Sequence, residues 1–157
     1  MYFKREQVVD LETYGLTFAN GNSDIQFKFH HVACAVRNTT DSIDFYTKFF
    51  GFKLVSGPFE VPSQKVKVTF LDMGGGTLFE LVEGTSVDSP IKSILDTPGG
   101  GIYHVCYQVP KLDEAVNFLR SKGCFLITRV EQFDNKDFRY VFMLTPEKQL
   151  FELCELK

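Results

Sequence analysis

The sequence predicts an α+β fold built from two β-α-β-β-β modules in tandem, and three observations carry that prediction. His31 and His104 lie 73 residues apart, and Glu80 and Glu152 lie 72 apart, so chemistry-bearing residues recur at one offset. Each His opens an alternating apolar segment (His-Val-Ala-Cys-Ala-Val and His-Val-Cys-Tyr-Gln-Val), and each Glu interrupts another (Leu-Phe-Glu-Leu-Val and Leu-Phe-Glu-Leu-Cys). A helical apolar pattern that ends in glycine, Gly51 or Gly123, follows each His segment. A repeat that keeps its ionisable residues in step with its apolar pattern points to one pseudo-twofold site.

The elements follow in order. Residues 27–36 read as a strand ending in a polar Arg-Asn-Thr-Thr-Asp turn. Thr39, Thr40 or Asp41 can cap a helix that runs to Phe50, with Ile43, Tyr46, Phe49 and Phe50 toward the core. Gly51 supplies the stop. Strands are predicted over 52–55, 65–71 and 77–83, the last two joined by the glycines at 74–76. The second half replays this pattern. A strand over 101–109 precedes a helix over 111–122, where Leu112, Ala115, Val116 and Leu119 fall at i, i+3, i+4 and i+7 before Gly123. Strands over 124–130, 138–144 and 149–156 complete it, with 145–148 as the last turn. The modules therefore occupy 27–84 and 101–157. In the linker, 85–100, Ser89 and Pro90 can start a short helix carrying Ile91, Ile94 and Leu95, ended by Pro98 and Gly99. Residues 1–26 have no counterpart in the repeat and are read as an N-terminal extension of unassigned role.

Side chains alternate across a strand, so His31 shares a face with Ala33 and Ala35, while Val32, Cys34 and Val36 take the other. The larger apolar set belongs under the helix, which leaves room for a ligand on the His face. His104 shares its face with Cys106 and Gln108. Glu80 and Glu152 each stand in a strand of Leu, Phe and Val, where an unpaired carboxylate is costly and needs a cation or a cavity. Two imidazoles and two carboxylates suffice to hold one divalent metal, and that donor set suits Zn, Ni, Co, Fe or Mn. His30, whose repeat partner is Tyr103, is expected to be a solvated strand residue.

The remaining composition mainly excludes functions. Net charge is −3 with scattered basic residues, so nothing marks a nucleic-acid surface. No apolar run reaches the ~20 residues of a membrane span, and the first residues lack the apolar stretch of a signal peptide. Cys34, Cys106, Cys124 and Cys154 stand singly, without CxxC spacing, so no disulfide framework is expected and a cytoplasmic location fits. With 17 phenylalanines and no tryptophan, the core should be rich in Phe. The glycines at 74–76 and 99–101 lack the strand-to-helix context and lysine of a phosphate loop and read as turns. Lys65, Lys67 and Arg139 can meet an anionic group or simply be exposed strand charges; Lys67 and Arg139 are repeat equivalents.

Several segments resemble the vicinal-oxygen-chelate superfamily, which includes glyoxalase I, methylmalonyl-CoA epimerase, extradiol dioxygenases and bleomycin-resistance proteins. Asp44-Phe45-Tyr46-Thr47-Lys48 through Gly51-Phe52-Lys53-Leu54 is similar to the glyoxalase helix and following strand. Val61-Pro62-Ser63-Gln64-Lys65-Val66-Lys67-Val68, with Asp88-Ser89-Pro90-Ile91 through Gly101-Ile102-Tyr103-His104, resembles the epimerase branch. The resemblance covers residues 28–156 and implies a mixed sheet curled around a central metal cleft, with the helices outside. It carries the metal-ligand role onto His31, Glu80, His104 and Glu152. It implies proton transfer beside a metal-bound carbonyl, with Glu152 or Glu80 as base, and the repeat offers Tyr140 as a candidate proton donor. Gln64, Lys67 and Arg139 become candidates for substrate contact. By alignment the separate base of studied epimerases falls on Val68, whose repeat equivalent is Tyr140. Three functions follow as expectations. They are an epimerase-like isomerase on an acyl-CoA thioester of the methylmalonyl-CoA type, a glyoxalase I-like lyase on a glutathione hemithioacetal, and a non-catalytic small-molecule-binding protein of the resistance type. A homodimer is the expected assembly if modules pair between chains.

Overall fold

The structure, a computed structural model, describes residues 25–98, 101–133 and 137–156. The extension read over 1–26 therefore lies, but for Ile25 and Gln26, outside the described residues. The first half comprises β1 (Lys28–Val36), α1 (Thr39–Phe50), β2 (Lys53–Val61), β3 (Val66–Asp72) and β4 (Leu78–Gly84), with a 3-10 turn at Pro62–Gln64 after β2. A four-residue helix, α2 (Lys92–Leu95), links it to β5 (Ile102–Gln108), α3 (Leu112–Ser121), β6 (Phe125–Leu126), β7 (Glu131–Phe133), β8 (Phe138–Leu144) and β9 (Leu150–Leu156).

The nine strands among the described residues form one open mixed sheet in the order β2-β3-β4-β1-β5-β9-β8-β6, with β7 also paired to β8. The sequence 2-3-4-1 meets 5-9-8-6 at an antiparallel β1–β5 seam, while β1–β4 and β5–β9 are parallel. The duplication is thus a duplication of topology, folded back to back on its first strands. The sheet curls enough that Phe59 on β2 and Phe133 on β7, near opposite ends, bring their rings to 5.9 Å.

Alternation sorts the two faces as the repeat predicts. Cys34, Val36, Leu71, Phe79 and Leu81 pack beneath Ile43 and Tyr46 of α1, and Val141, Met143, Phe151 and Leu153 pack against Leu112, Ala115 and Val116 of α3. Leu71, Leu81, Leu112 and Leu153 are fully buried, each contributing roughly 1.5–3 kcal/mol relative to exposure. The opposite face carries Ala33, Ala35, Val66, Val68 and Val82 in one half and Cys106, Tyr140 and Cys154 in the other. All four cysteines are free thiols.

Four local expectations are corrected. Asn38 caps α1, its side chain accepting from the Asp41 amide at 3.1 Å, and Thr39 is already helical and buried. Phe49 and Phe50 are 66% and 60% exposed, because Phe52 stacks on Tyr46 at 5.5 Å and fills the place they would take. β2 runs well past residue 55, through register shifts on either side of Ser56. Gly57 permits this: its φ is +104°, and a Cβ there would lie 2.7 Å from the Val68 carbonyl oxygen. The strand read over 124–130 is instead split into β6 and β7, which pair with β8 on either side of an irregular stretch. There the amides of Ile127 and Thr128 both reach the Phe142 carbonyl. The glycines at 74–76 form the expected turn, with Asp72 accepting from the Gly74 and Gly76 amides; Gly99 and Gly100 lie outside the described residues.

Candidate metal centre

His31, Glu80, His104 and Glu152 each come from a different one of the four central strands, β1, β4, β5 and β9. None is more than 8% exposed. The pairing registers align them: Ala33 lies opposite both Glu80 and His104, and Cys106 lies opposite both His31 and Glu152. Small residues between the ligands leave the four side chains free to converge above the sheet. His31 Nε2 stands 3.3 Å from Glu80 Oε2, 3.2 Å from Glu152 Oε2 and 3.3 Å from His104 Nε2. His104 Nε2 lies 3.3 Å from Glu152 Oε2 and 3.7 Å from Glu80 Oε2.

The separations among His31, His104 and Glu152 fit one ion, their donor atoms all lying within 4.8 Å of one another, and Glu80 Oε2 approaches both imidazoles. Donors ~2.0–2.2 Å from a common metal sit about 3–3.5 Å from one another. The electrostatics agree. Burial disfavours a charged imidazole at His31, but hydrogen bonds to Glu152 and Glu80 outweigh it and raise its pKa to about 10. Burial likewise works against charge on Glu152, and His104 and His31 overcome it, holding the carboxyl below its ordinary range. Two buried carboxylates demand positive charge at this point, from protons on the imidazoles or from a divalent cation.

His30 departs from its expected solvated role. It is half-buried, with its Nδ1 2.8 Å from His31 Nδ1. Neighbours on a regular strand point to opposite faces, but the β1–β5 register shifts between Phe29 and His31, and that irregularity turns His30 toward the same side. The repeat could not signal this, since Tyr103 replaces it in the second half. There the Tyr103 ring packs edge-on to His104 at 4.6 Å, and His104 Nδ1 has no hydrogen-bond partner among the described residues.

A cleft of about 150 Å³ opens above the four ligands, walled by residues such as Phe59, Val68, Phe70, Phe133, Phe138 and Phe142. Gln64 and Tyr140 line it and touch: Gln64 Nε2 donates to the Tyr140 hydroxyl at 3.0 Å. That hydroxyl donates to Glu131 Oε2 at 2.8 Å, and Ser63 Oγ donates to the same oxygen at 2.8 Å. The network ties the 3-10 turn of the first half to β7 and β8 of the second. Burial, then the Glu131 carboxylate, pushes the Tyr140 pKa well above its ordinary value, so the phenol keeps its proton. Glu131 escaped sequence reasoning because the split between β6 and β7 could not be foreseen. Val68, onto which the sequence resemblance would place the separate epimerase base, is buried in the cleft wall.

Lys67 and Arg139 are not brought to the cleft. Lys67 Nζ pairs with Glu83 Oε1 at 2.9 Å, and Glu83 Oε2 accepts the first amide of α1, from Thr39, at 2.6 Å. The second half repeats this device. Arg139 reaches Glu155 Oε2 at 3.3 Å, and Glu155 accepts the Leu112 amide at the start of α3 at 2.7 Å. Arg139 also pairs with Asp113 at 3.0 Å. The repeat equivalence of Lys67 and Arg139 is therefore a property of the helix starts.

Among the described residues no helix is long and apolar enough to cross a membrane. Comparison with known proteins adds the following. The profile of the Glyoxalase/Bleomycin resistance protein/Dioxygenase superfamily matches residues 30–142. The chain is 30% identical over 132 residues to the Bacillus subtilis protein YqjC, spanning 83% of this chain and 93% of that one. It is 34% identical over 101 residues to the mitochondrial methylmalonyl-CoA epimerase of Dictyostelium discoideum, spanning 64% of this chain but only 60% of the epimerase. The structure matches that of methylmalonyl-CoA epimerase from Mycobacterium tuberculosis with a TM-score of 0.73 at 26% identity, covering 83% of this chain and 88% of that one.

Proposed function

The chain belongs to the Glyoxalase/Bleomycin resistance protein/Dioxygenase superfamily, and from that premise we propose that it is a divalent-metal-dependent enzyme. It moves a proton on the carbon next to a carbonyl, in the manner of an epimerase on an acyl-CoA thioester. The observation that carries this reading is the convergence of His31, Glu80, His104 and Glu152 at the floor of an apolar cleft. These four residues would hold the ion, which when bound would polarise the carbonyl and favour negative charge on its oxygen.

The chain's own groups supply the rest. Glu80 and Glu152 are the two carboxylates among the described residues that line the cleft, so the proton leaves to one of them. The aromatic walls keep water from the reacting carbon and strengthen every charge interaction near it. Tyr140, its proton committed to Glu131, holds the Gln64 amide at the cleft wall, where Gln64 can orient a substrate oxygen. Val68 favours a second reading. With no carboxylate at that position, one base would serve both proton transfers, as in a glyoxalase I-like lyase acting on a glutathione hemithioacetal.

Metal analysis of the purified protein should find about one divalent ion per chain, lost in Glu152→Ala. In heavy water the protein should then wash deuterium into the α-carbon of an acyl-CoA such as methylmalonyl-CoA. Absence of metal would remove both enzyme readings and leave the binding-protein alternative. Turnover of methylglyoxal with glutathione, without thioester exchange, would select the lyase.

A further inference from the structure

Four side chains, two from each half of the chain, meet in one ordered run of hydrogen bonds at the cleft wall. Ser63 Oγ and the Tyr140 hydroxyl each lie 2.8 Å from Glu131 Oε2, and Gln64 Nε2 lies 3.0 Å from the Tyr140 oxygen. A carboxylate oxygen only accepts, so both hydroxyls direct their protons to Glu131. The single proton of Tyr140 is thereby committed, and its oxygen is left as an acceptor. Of the two ends of the Gln64 amide, only the nitrogen can meet it. An amide has nearly the same shape either way round, so the order of protons decides its direction. The turn that carries Gln64 is itself held: Pro62 opens it, and Lys65 closes it in the left-handed region, its amide on the Pro62 carbonyl at 3.1 Å. Val68, the repeat equivalent of Tyr140, carries no hydroxyl, so the repeat does not supply this device to the first half.

We propose that Glu131 is a positioning residue acting through Tyr140, which sets the Gln64 amide with its carbonyl oxygen toward the ligand, to accept from an N–H or O–H donor. The proposal rests on the acyl-thioester reading above and adds a contact to it, because in an acyl-CoA the first such donor is the amide N–H that follows the sulfur. The second N–H of Gln64 can still serve a substrate oxygen. Tyr140 and Gln64 line the cleft and Ser63 and Glu131 stand behind them, so Glu131 reaches a ligand only through this chain of bonds. Its charge strengthens the two hydroxyl bonds and holds their direction. With a neutral amide in its place the order can reverse: Tyr140 then donates to Gln64, which turns its nitrogen to the ligand.

The propionyl thioester of N-acetylcysteamine and its ester counterpart, in which that N–H is replaced by an oxygen, provide the test. Both are titrated into the isotope-labelled full chain supplied with Zn²⁺ and followed by NMR, with the Gln64 side-chain amide identified by its loss in Gln64→Met. The wild type should show one Gln64 amide proton protected from exchange with solvent, and it should bind the amide-bearing thioester about three- to tenfold more tightly. Glu131→Gln, equal in size, should remove the protection and bring the two dissociation constants toward parity. Tyr140→Phe, which keeps the ring, should do the same. A wild type without the preference overturns the proposal, as does a Gln64 amide that both variants leave unchanged. Deuterium exchange at the α-carbon without the preference removes the proposal alone; failure to bind either thioester removes the acyl-thioester reading with it.

Discussion

His31 shows how much one irregular position contributes. A single shift in the β1–β5 register puts His30 behind it, Nδ1 to Nδ1, which fixes the imidazole with Nε2 toward Glu80, His104 and Glu152. Partners that hold the far nitrogen of a metal-binding imidazole typically change affinity by about 10–100-fold. His30→Ala should therefore weaken Zn²⁺ binding by that order in competition with a chromogenic chelator, with little change in the urea midpoint of the ion-free protein. An unchanged affinity would mean that His30 merely fills space. Tyr140 makes a different contribution. Tyr140→Phe deletes the hydroxyl shared by Gln64 and Glu131 and should cost about 1–2 kcal/mol in urea unfolding while leaving the metal content intact. Complete loss of exchange activity with normal substrate binding would instead make the phenol a direct participant in the proton transfer.

At the scale of elements, each long helix begins on a carboxylate borrowed from the strand beside it. Glu83 accepts the Thr39 amide and Glu155 the Leu112 amide, with Lys67 and Arg139 holding the two carboxylates in place. A negative charge at a helix N-terminus is typically worth about 0.3–1 kcal/mol, so Glu83→Gln, which keeps an amide oxygen as acceptor but removes the charge, should lower the urea midpoint accordingly. Its pH dependence has a definite sign. Burial opposes the charge on Glu83, but hydrogen bonding from Thr39 and the Lys67 ammonium outweigh it and lower the folded pKa. The unfolded chain then binds more protons between the folded and unfolded values, so this contribution is present above the ordinary glutamate pKa and fades as pH falls through the folded one. Glu83→Gln should flatten that part of the acid limb of stability against pH; an unaltered limb would show that the carboxylate is no better held in the fold than in the unfolded chain.

Across the whole molecule, the back-to-back topology closes the candidate site. Two strands from each half contribute one ligand apiece, so a bound ion would tie the two halves together at their seam. A ligand that binds only the folded chain stabilises it by about 2.7 kcal/mol at a hundredfold excess over its dissociation constant. For a chain of this size that corresponds to roughly 5–10 °C in the melting midpoint. Chelation should lower the midpoint by that amount, and a molar equivalent of Zn²⁺ should restore it. A midpoint indifferent to both would argue against an ion shared between the halves.

The sequence by itself determined the class of fold, and it named the four residues that the structure brings together. Each of these depends on alternation and on one repeat offset, and both are properties of the chain read in order. His31 was separable from His30, and Glu80 from its neighbours, because a strand has a period of two. Only the tertiary structure decided which pairs of neighbours break that period. The irregular stretches around His30, Gly57 and residues 127–130 come from register between strands far apart in the chain, and no local pattern encodes them. The same register recruited His30 and Glu131, withdrew Lys67 and Arg139 to the helix starts, and left the cleft walls apolar. Charge placement across a curled sheet depends on which distant carboxylate each cation meets, and that is decided only when the two halves pack on their shared seam.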